Sequence, residues 1–197
     1  PDDGYLPGLR KLCDESGALL IMDEIQTGVA RTGRLWAYEH SGIEPDIMTV
    51  AKALANGIPI GATLARREVA SVLTPGTHGS TFGGNPFATA VALATFTTVL
   101  DDKVAARAGR MGRYLMDGLR RLASSRTDVR EIRGRGLLIG MELTRPATPV
   151  MDACREAGLL VLTAGEKVLR LAPPLIVGER DGDQALAIIG EALAGTP

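Results

Sequence analysis

Ala18-Leu19-Leu20-Ile21-Met22-Asp23-Glu24 and, after a glycine-containing interval, Pro45-Asp46-Ile47-Met48-Thr49-Val50-Ala51-Lys52 are the two stretches from which the fold is read. In each, an unbroken apolar run ends in an ionisable group: an acid pair in the first, a lysine in the second. Such runs read as strands of a parallel sheet buried on both faces. Ligands of open α/β sheets bind at the carboxyl ends of the strands. One sheet edge can therefore present Asp23 and Lys52 together.

Working outward, residues 6–16 read as a helix with Gly17 as its stop, an ordinary lead into the first strand. Gly28 and Gly33 mark a loop, residues 35–41 a short helix, and Asn56-Gly57-Ile58-Pro59-Ile60-Gly61 a turn into a strand over residues 62–65. From Val69 to Leu100 there is no Asp, Glu, Lys or Arg, which reads as a segment enclosed by protein or by a partner subunit. Within it, Asn85 followed by Pro86 fits an N-cap and first helical position, with the helix running to about residue 100.

Asp101-Asp102 opens a second helix, in which Val104, Ala108, Met111, Leu115, Leu119 and Leu122 recur at helical spacing. It divides the chain into a first domain over residues 1–101 and a connector helix with a smaller domain over residues 102–197. The smaller domain reads as α/β. It has a strand over 136–143, a helix over 150–157 stopped by Gly158, and strands over 159–163 and 168–172 around Ala164-Gly165-Glu166-Lys167. A last helix carries Leu186, Ile189 and Leu193 on one face.

Composition narrows the function. With 197 residues, 45% hydrophobic and 23% charged, the chain can bury one sizeable core or two small ones. A net charge of −1 supplies no general attraction to nucleic acid or an anionic membrane. The longest charge-free helical stretch, residues 86–100, falls short of the roughly 20 residues of a membrane span. Cys13 and Cys154 read as buried free thiols, which fits a reducing compartment such as the cytoplasm. His40 and His78 make no metal-ligand spacing with them, so no metal is expected. The chain opens without Met in a turn-like stretch and reads as a piece of a longer polypeptide.

Lys52 differs from Lys11, Lys103 and Lys167, which sit among polar neighbours. A lysine ending an apolar strand either snorkels to solvent or is used covalently, as in Schiff-base lysines. Asp23 either caps the following loop or serves chemistry. Together the two match what pyridoxal phosphate requires, a lysine to hold the aldehyde and an acid to keep the pyridine nitrogen protonated. An acid pair after an apolar run also suits a P-loop nucleotidase, but none of the four lysines follows a glycine as that loop demands. Gly134-Arg135-Gly136 with Gly140 does not follow a strand as a dinucleotide loop must. Ser80 and Thr81, between Gly79 and Gly83-Gly84, offer hydroxyls and open backbone N–H groups to a phosphate or carboxylate, or form a small-residue turn into the helix.

Asp23-Glu24-Ile25-Gln26-Thr27-Gly28, Arg31-Thr32-Gly33, Pro45-Asp46 through Ala51-Lys52-Ala53-Leu54, and Gly79-Ser80-Thr81-Phe82-Gly83-Gly84-Asn85-Pro86 occur in the order found in class III (fold type I) aminotransferases. The chain resembles that family over essentially its whole length. Thr77-His78, Ile132-Arg133-Gly134 with Gly136-Leu137-Leu138-Ile139-Gly140, and Leu169-Arg170-Leu171-Ala172-Pro173 are most similar to its members acting on acetylated ornithine. The resemblance implies the C-terminal part of the large, mostly parallel-sheet domain followed by the small α/β domain.

It also implies roles. Lys52 holds pyridoxal 5'-phosphate covalently and then shuttles the substrate proton. Asp23 pairs with the pyridine nitrogen, Gln26 lies near the ring hydroxyl, and Glu24 and Ile25 belong to the same cofactor-binding motif. Thr81 binds the cofactor phosphate of the neighbouring subunit of a homodimer, Ser80 lies close to the substrate, and Arg170 receives a substrate carboxylate. The implied reaction is ping-pong transfer of the distal amino group of N2-acetylornithine to 2-oxoglutarate, in arginine biosynthesis. Ornithine, succinyl-diaminopimelate and 4-aminobutyrate are the neighbouring donors, and a non-catalytic truncated homologue is the alternative to an enzyme. The remaining cofactor and substrate residues of the family precede Pro1, so this piece alone is expected to be inactive.

Overall fold

Gly17, at φ 71°, ends helix α1 (Tyr5–Ser16) in the computed structural model, which describes residues 2–196. The chain then enters β1 (Ile21–Asp23) and, after a 3-10 turn at Ala37–Ser41, β2 (Ile47–Val50). A second 3-10 turn, Lys52–Ala55, leads on to β3 (Ala62–Ala65), the short α2 (Arg67–Ala70) and α3 (Pro86–Asp101). These elements make the first of two units, Pro1–Ala105 and Ala106–Pro197.

The first sheet has the order β1-β2-β3, with β1 parallel and β3 antiparallel to β2. Its register sets Ile21 beside Ile47 and Asp23 beside Thr49. Asp46 pins the opposite end. Its carboxylate accepts the Leu20 N–H at 2.8 Å and Arg10 Nη1 at 2.7 Å, and forms an ion pair with Arg66 at 3.3 Å. The Leu20 N–H and then Arg10 hold that carboxyl below its usual range.

The expectation that the first strand is buried on both faces is corrected. Leu20 is buried, but Leu19 and Ile21 on the other face are more than half exposed, at 53% and 59%. The strand lies at the edge of its sheet with β2 as its one neighbour, and one of its faces is uncovered.

Helix α3 starts as its sequence implies: Pro86 is in its first turn and Asn85 Oδ1 accepts the Ala88 N–H at 2.9 Å. Only Ala88, Ala92 and Val99 of this helix are buried. The charge-free segment is thus not enclosed within this chain, and Val72, Leu73, Phe82, Phe87 and Leu93 stand exposed.

In the second unit α4 (Val104–Ala123), whose first turn crosses the boundary, is followed by β4 (Val129–Arg135), β5 (Leu138–Leu143), α5 (Thr148–Glu156), β6 (Leu162–Ala164), β7 (Val168–Leu171) and α6 (Glu179–Gly195). The antiparallel sheet has the order β4-β5-β7-β6. Its inner face buries Ile139, Met141, Leu143, Leu169 and Leu171 with Leu115 and Leu119 of α4 and Ile189 and Leu193 of α6. Gly112 of α4 lies against Gly136, whose carbonyl oxygen would be 2.0 Å from an added Cβ.

Strand β4 is absent from the sequence reading, because Arg130, Glu131, Arg133 and Arg135 obscure any apolar alternation at a sheet edge. The strand expected over 159–163 is confined to Leu162–Ala164. Both cysteines are free; Cys154 is buried, and burial pushes its thiol up, whereas Cys13 is only half-buried, contrary to expectation.

Candidate active site

Strands β1 and β2 run parallel and stop side by side, so Asp23 and Lys52 come to the same sheet end. The Glu24 N–H donates to the Thr49 carbonyl at 2.9 Å, closing the ladder one residue beyond Asp23. Lys52 lies three residues past Thr49, a span of at most about 10 Å, and adjacent strands are about 4.8 Å apart. The two α-carbons are therefore within about 15 Å, close enough for both side chains to reach one small aromatic group.

Lys52 opens its 3-10 turn with φ 47°, in the left-handed region that a lysine rarely enters. Such strain gathers at functional sites, where the surrounding structure imposes it. Here α3 packs on the turn and Ala55 is completely buried. The lysine side chain is exposed, as expected of a strand-end lysine that reaches solvent, and it has no ion pair among the described residues. Asp23 is also exposed. Its Oδ1 accepts the Ile25 N–H at 2.9 Å, and Oδ2 has no hydrogen-bond partner among the described residues. A carboxylate with one oxygen fixed and one open suits a protonated ring nitrogen, so the donor set fits pyridoxal phosphate, with Lys52 as its amine.

Glu24 is buried, and its carboxylate is engaged within the chain by the Tyr38 N–H at 3.0 Å and the Thr27 hydroxyl at 2.5 Å. It braces the loop that carries Gln26, which is exposed, and Ile25, which is half-buried. The loop is held further by Trp36, which abuts Gly28 and stacks on Phe96 of α3 with ring centroids 6.0 Å apart. Trp36, Thr27 and Tyr38 escape the sequence reading. The one available signal is a single tryptophan beside a Gly-containing loop.

Ser80 and Thr81 lie in an exposed loop and make no hydrogen bond to Asp23, Gln26 or Lys52 among the described residues. The Ser80 hydroxyl accepts the Gly83 N–H at 2.9 Å and so serves the turn, while Thr81 is open. Arg170 stands in the second unit on β7, opposite Gly140, with its Nε buried and without a partner. No cluster of His, Cys, Asp or Glu among the described residues can hold a metal, and no described helix is long and apolar enough to cross a membrane.

A family model described as "Aminotransferase class-III" matches residues 1–193. The acetylornithine aminotransferase of Methanothermobacter thermautotrophicus is 44% identical over 98% of this chain and 50% of its own length. That of Mycolicibacterium smegmatis is 48% identical over 91% of this chain and 46% of its own length. Among solved structures, the ornithine aminotransferase of Toxoplasma gondii superposes with a TM-score of 0.94 at 42% identity, covering 98% of this chain and 47% of that one. The acetylornithine aminotransferase of Elizabethkingia anophelis gives 0.93 at 37% identity, covering 100% and 53%. The chain spans about half the length of the curated relatives it matches.

The architecture is that of the fold type I pyridoxal phosphate-dependent transferases. Within that class, the chain belongs to the class-III aminotransferases, a family that uses pyridoxal 5'-phosphate.

Proposed function

We propose that the protein of which this chain is part transfers the distal amino group of N2-acetylornithine to 2-oxoglutarate, using pyridoxal 5'-phosphate. The observation that carries the chemistry is the convergence of Asp23 and a backbone-strained Lys52 at adjacent parallel strand ends. The donor is supported by relatives that bear the name acetylornithine aminotransferase. Arginine biosynthesis is the setting that this substrate suggests.

Bound, the cofactor supplies an electron sink for the carbanion left when the substrate carbon loses its proton. Asp23 keeps the ring nitrogen protonated through its open oxygen. Lys52 Nζ would hold the aldehyde and, when free of it, would move the substrate proton as general base and acid. Gln26 orients the ring hydroxyl, with Glu24 and Ile25 setting the loop from which Asp23 and Gln26 project. Ser80 lies close to the substrate, and Arg170 receives a substrate carboxylate through its planar fork.

Thr81 holds the cofactor phosphate of a second copy in a homodimer. The exposed, charge-free segment carrying Phe82, Phe87 and Leu93 supports that assembly. A cytoplasmic setting accords with two free thiols. Ornithine is the second donor reading, favoured by the Toxoplasma gondii ornithine aminotransferase among the structural neighbours.

Borohydride reduction of the full-length protein and peptide mapping test the chemistry: a pyridoxyl group on Lys52 is expected, and an unlabelled lysine overturns the reading. A panel of amino donors with 2-oxoglutarate tests the substrate. Higher kcat/KM for acetylornithine than for ornithine is expected, and the reverse order replaces the donor.

A further inference from the structure

On the outer face of the second sheet, Arg133 of β4, Gly140 of β5, Arg170 of β7 and Leu162 of β6 lie in one register row. The adjacent row is Glu131, Glu142, Val168 and Ala164. Two glutamates thus stand directly opposite one another, an arrangement that repels. Arg133 Nη1 answers it by donating to Glu131 at 2.7 Å and to Glu142 Oε2 at 2.6 Å. Arg130 Nη1 donates to Glu142 Oε1 at 3.1 Å. Arg130 is available for this because the register shifts between Val129 and Glu131, and such a bulge re-aims a side chain. Both oxygens of Glu142 are thereby taken, and Arg133 first among its neighbours holds the carboxyl below its usual range.

Arg170 is the diagonal neighbour of Glu142 on this face, a relation that puts backbones about 7–8 Å apart and within reach of long side chains. Gly140, opposite Arg170, interposes no side chain, and Val168 Cγ1 comes within 3.1 Å of where its Cβ would be. One valine therefore separates a carboxylate from an arginine that has no ion pair among the described residues and whose Nε is buried without a partner. An unengaged carboxylate at that position would pair with Arg170.

We propose that Arg130 and Arg133 are positioning residues that hold Glu142 away from Arg170, leaving its guanidinium for a carboxylate of 2-oxoglutarate. This rests on the reading of Arg170 given above and extends it to the residues that keep it available.

The test uses the full-length, cofactor-loaded enzyme carrying Arg130→Gln and Arg133→Gln. Released, Glu142 pairs with Arg170, and the KM for 2-oxoglutarate rises about tenfold while kcat stays within about twofold. Adding Glu142→Gln returns KM to within about twofold of the unmodified enzyme, a rescue that a merely structural network would not give. An unchanged KM in the double variant, or a triple variant as impaired as the double, overturns the proposal. Arg133→Gln alone, which frees only Oε2, carries the same expectation at about threefold should the double variant not accumulate. Arg170→Gln separates the two levels. If it leaves the 2-oxoglutarate KM unchanged, the role of Arg170 itself is lost; if it raises KM while the double variant does not, only the positioning role is lost.

Discussion

Gly28 lies against the ring of Trp36, so that a Cβ on Gly28 would stand 2.8 Å from Cε3 and equally close to the Glu24 carbonyl oxygen. The second of these neighbours is backbone and has little freedom to yield. Gly28→Ala is therefore expected to push Trp36 off Phe96 and cost about 1–3 kcal/mol. Trp36 is the one tryptophan of these 197 residues, and its emission in the full-length protein, isolated by subtracting the spectrum of a Trp36→Phe variant, reports the shift. Urea unfolding of the full-length protein measures the cost, and an unchanged emission spectrum would contradict the packing described.

Lys52 provides a second expectation, because its φ of 47° is a conformation that Asn adopts more readily. Lys52→Asn should stabilise the cofactor-free protein by about 0.5–1 kcal/mol and abolish turnover, since the amine is gone. Urea midpoints of the cofactor-free proteins check the first part and a steady-state assay the second. A destabilised Asn variant would mean that the lysine side chain itself holds the turn.

Asp23→Asn keeps the shape and the Ile25 hydrogen bond but removes the charge facing the ring nitrogen. The expected loss is about 10²–10³ in kcat, the size of one lost preorganised electrostatic contact, with little change in unfolding midpoint because the side chain is exposed. Asp23→Glu should recover part of the rate.

What was legible in the chain was local. Asn85-Pro86 announces α3 because capping is chemistry between neighbours. Gly17 and Gly158 end their helices with φ 71° and 88°, a conformation glycine adopts at no steric cost. That Asp23 and Lys52 reach the same sheet end followed from two apolar runs ending in ionisable groups, which needs only the rule for strand ends. Interactions distant in sequence were not legible. Asp46 reads as a strand opener, yet it joins Arg10 and Leu20, 36 and 26 residues away. Glu24 reads as part of an acid pair, yet its carboxylate is spent on Tyr38 and Thr27. Burial was misjudged at Leu19 and Ile21 because apolar runs predict that a face wants cover, not that this chain supplies it.

Gly112 fixes how α4 meets the second sheet, since a Cβ there would fall 2.0 Å from the Gly136 carbonyl oxygen and 2.7 Å from its Cα. Neither atom can move without shifting the turn before β5. Gly112→Ala is expected to cost more than about 3 kcal/mol, despite the better helix propensity of Ala. Gly195, at the end of α6, has open space around it. Gly195→Ala should change stability by under about 0.5 kcal/mol, and the contrast between the two variants isolates the close approach.

Asp128 makes the pH dependence of the second unit predictable. Its carboxylate is held bidentately by Arg126 at 2.8 and 2.9 Å and by Arg145 at 3.1 Å, and both guanidinium groups also donate to the Leu193 carbonyl in the last turns of α6. The Arg126 hydrogen bonds are the main cause that lowers the carboxyl from 3.8 to about 2. Since the folded state holds its proton more weakly than the unfolded chain does, the stabilisation is complete above the ordinary value of 3.8 and disappears as pH falls through about 2. With the side chain 22% exposed, its size is on the order of 1–2 kcal/mol. Asp128→Asn should lower the urea midpoint at pH 7 by that amount, and the gap to the unmodified protein should narrow steadily below pH 4. A gap that persists at pH 2 would assign the effect to side-chain shape and not to charge.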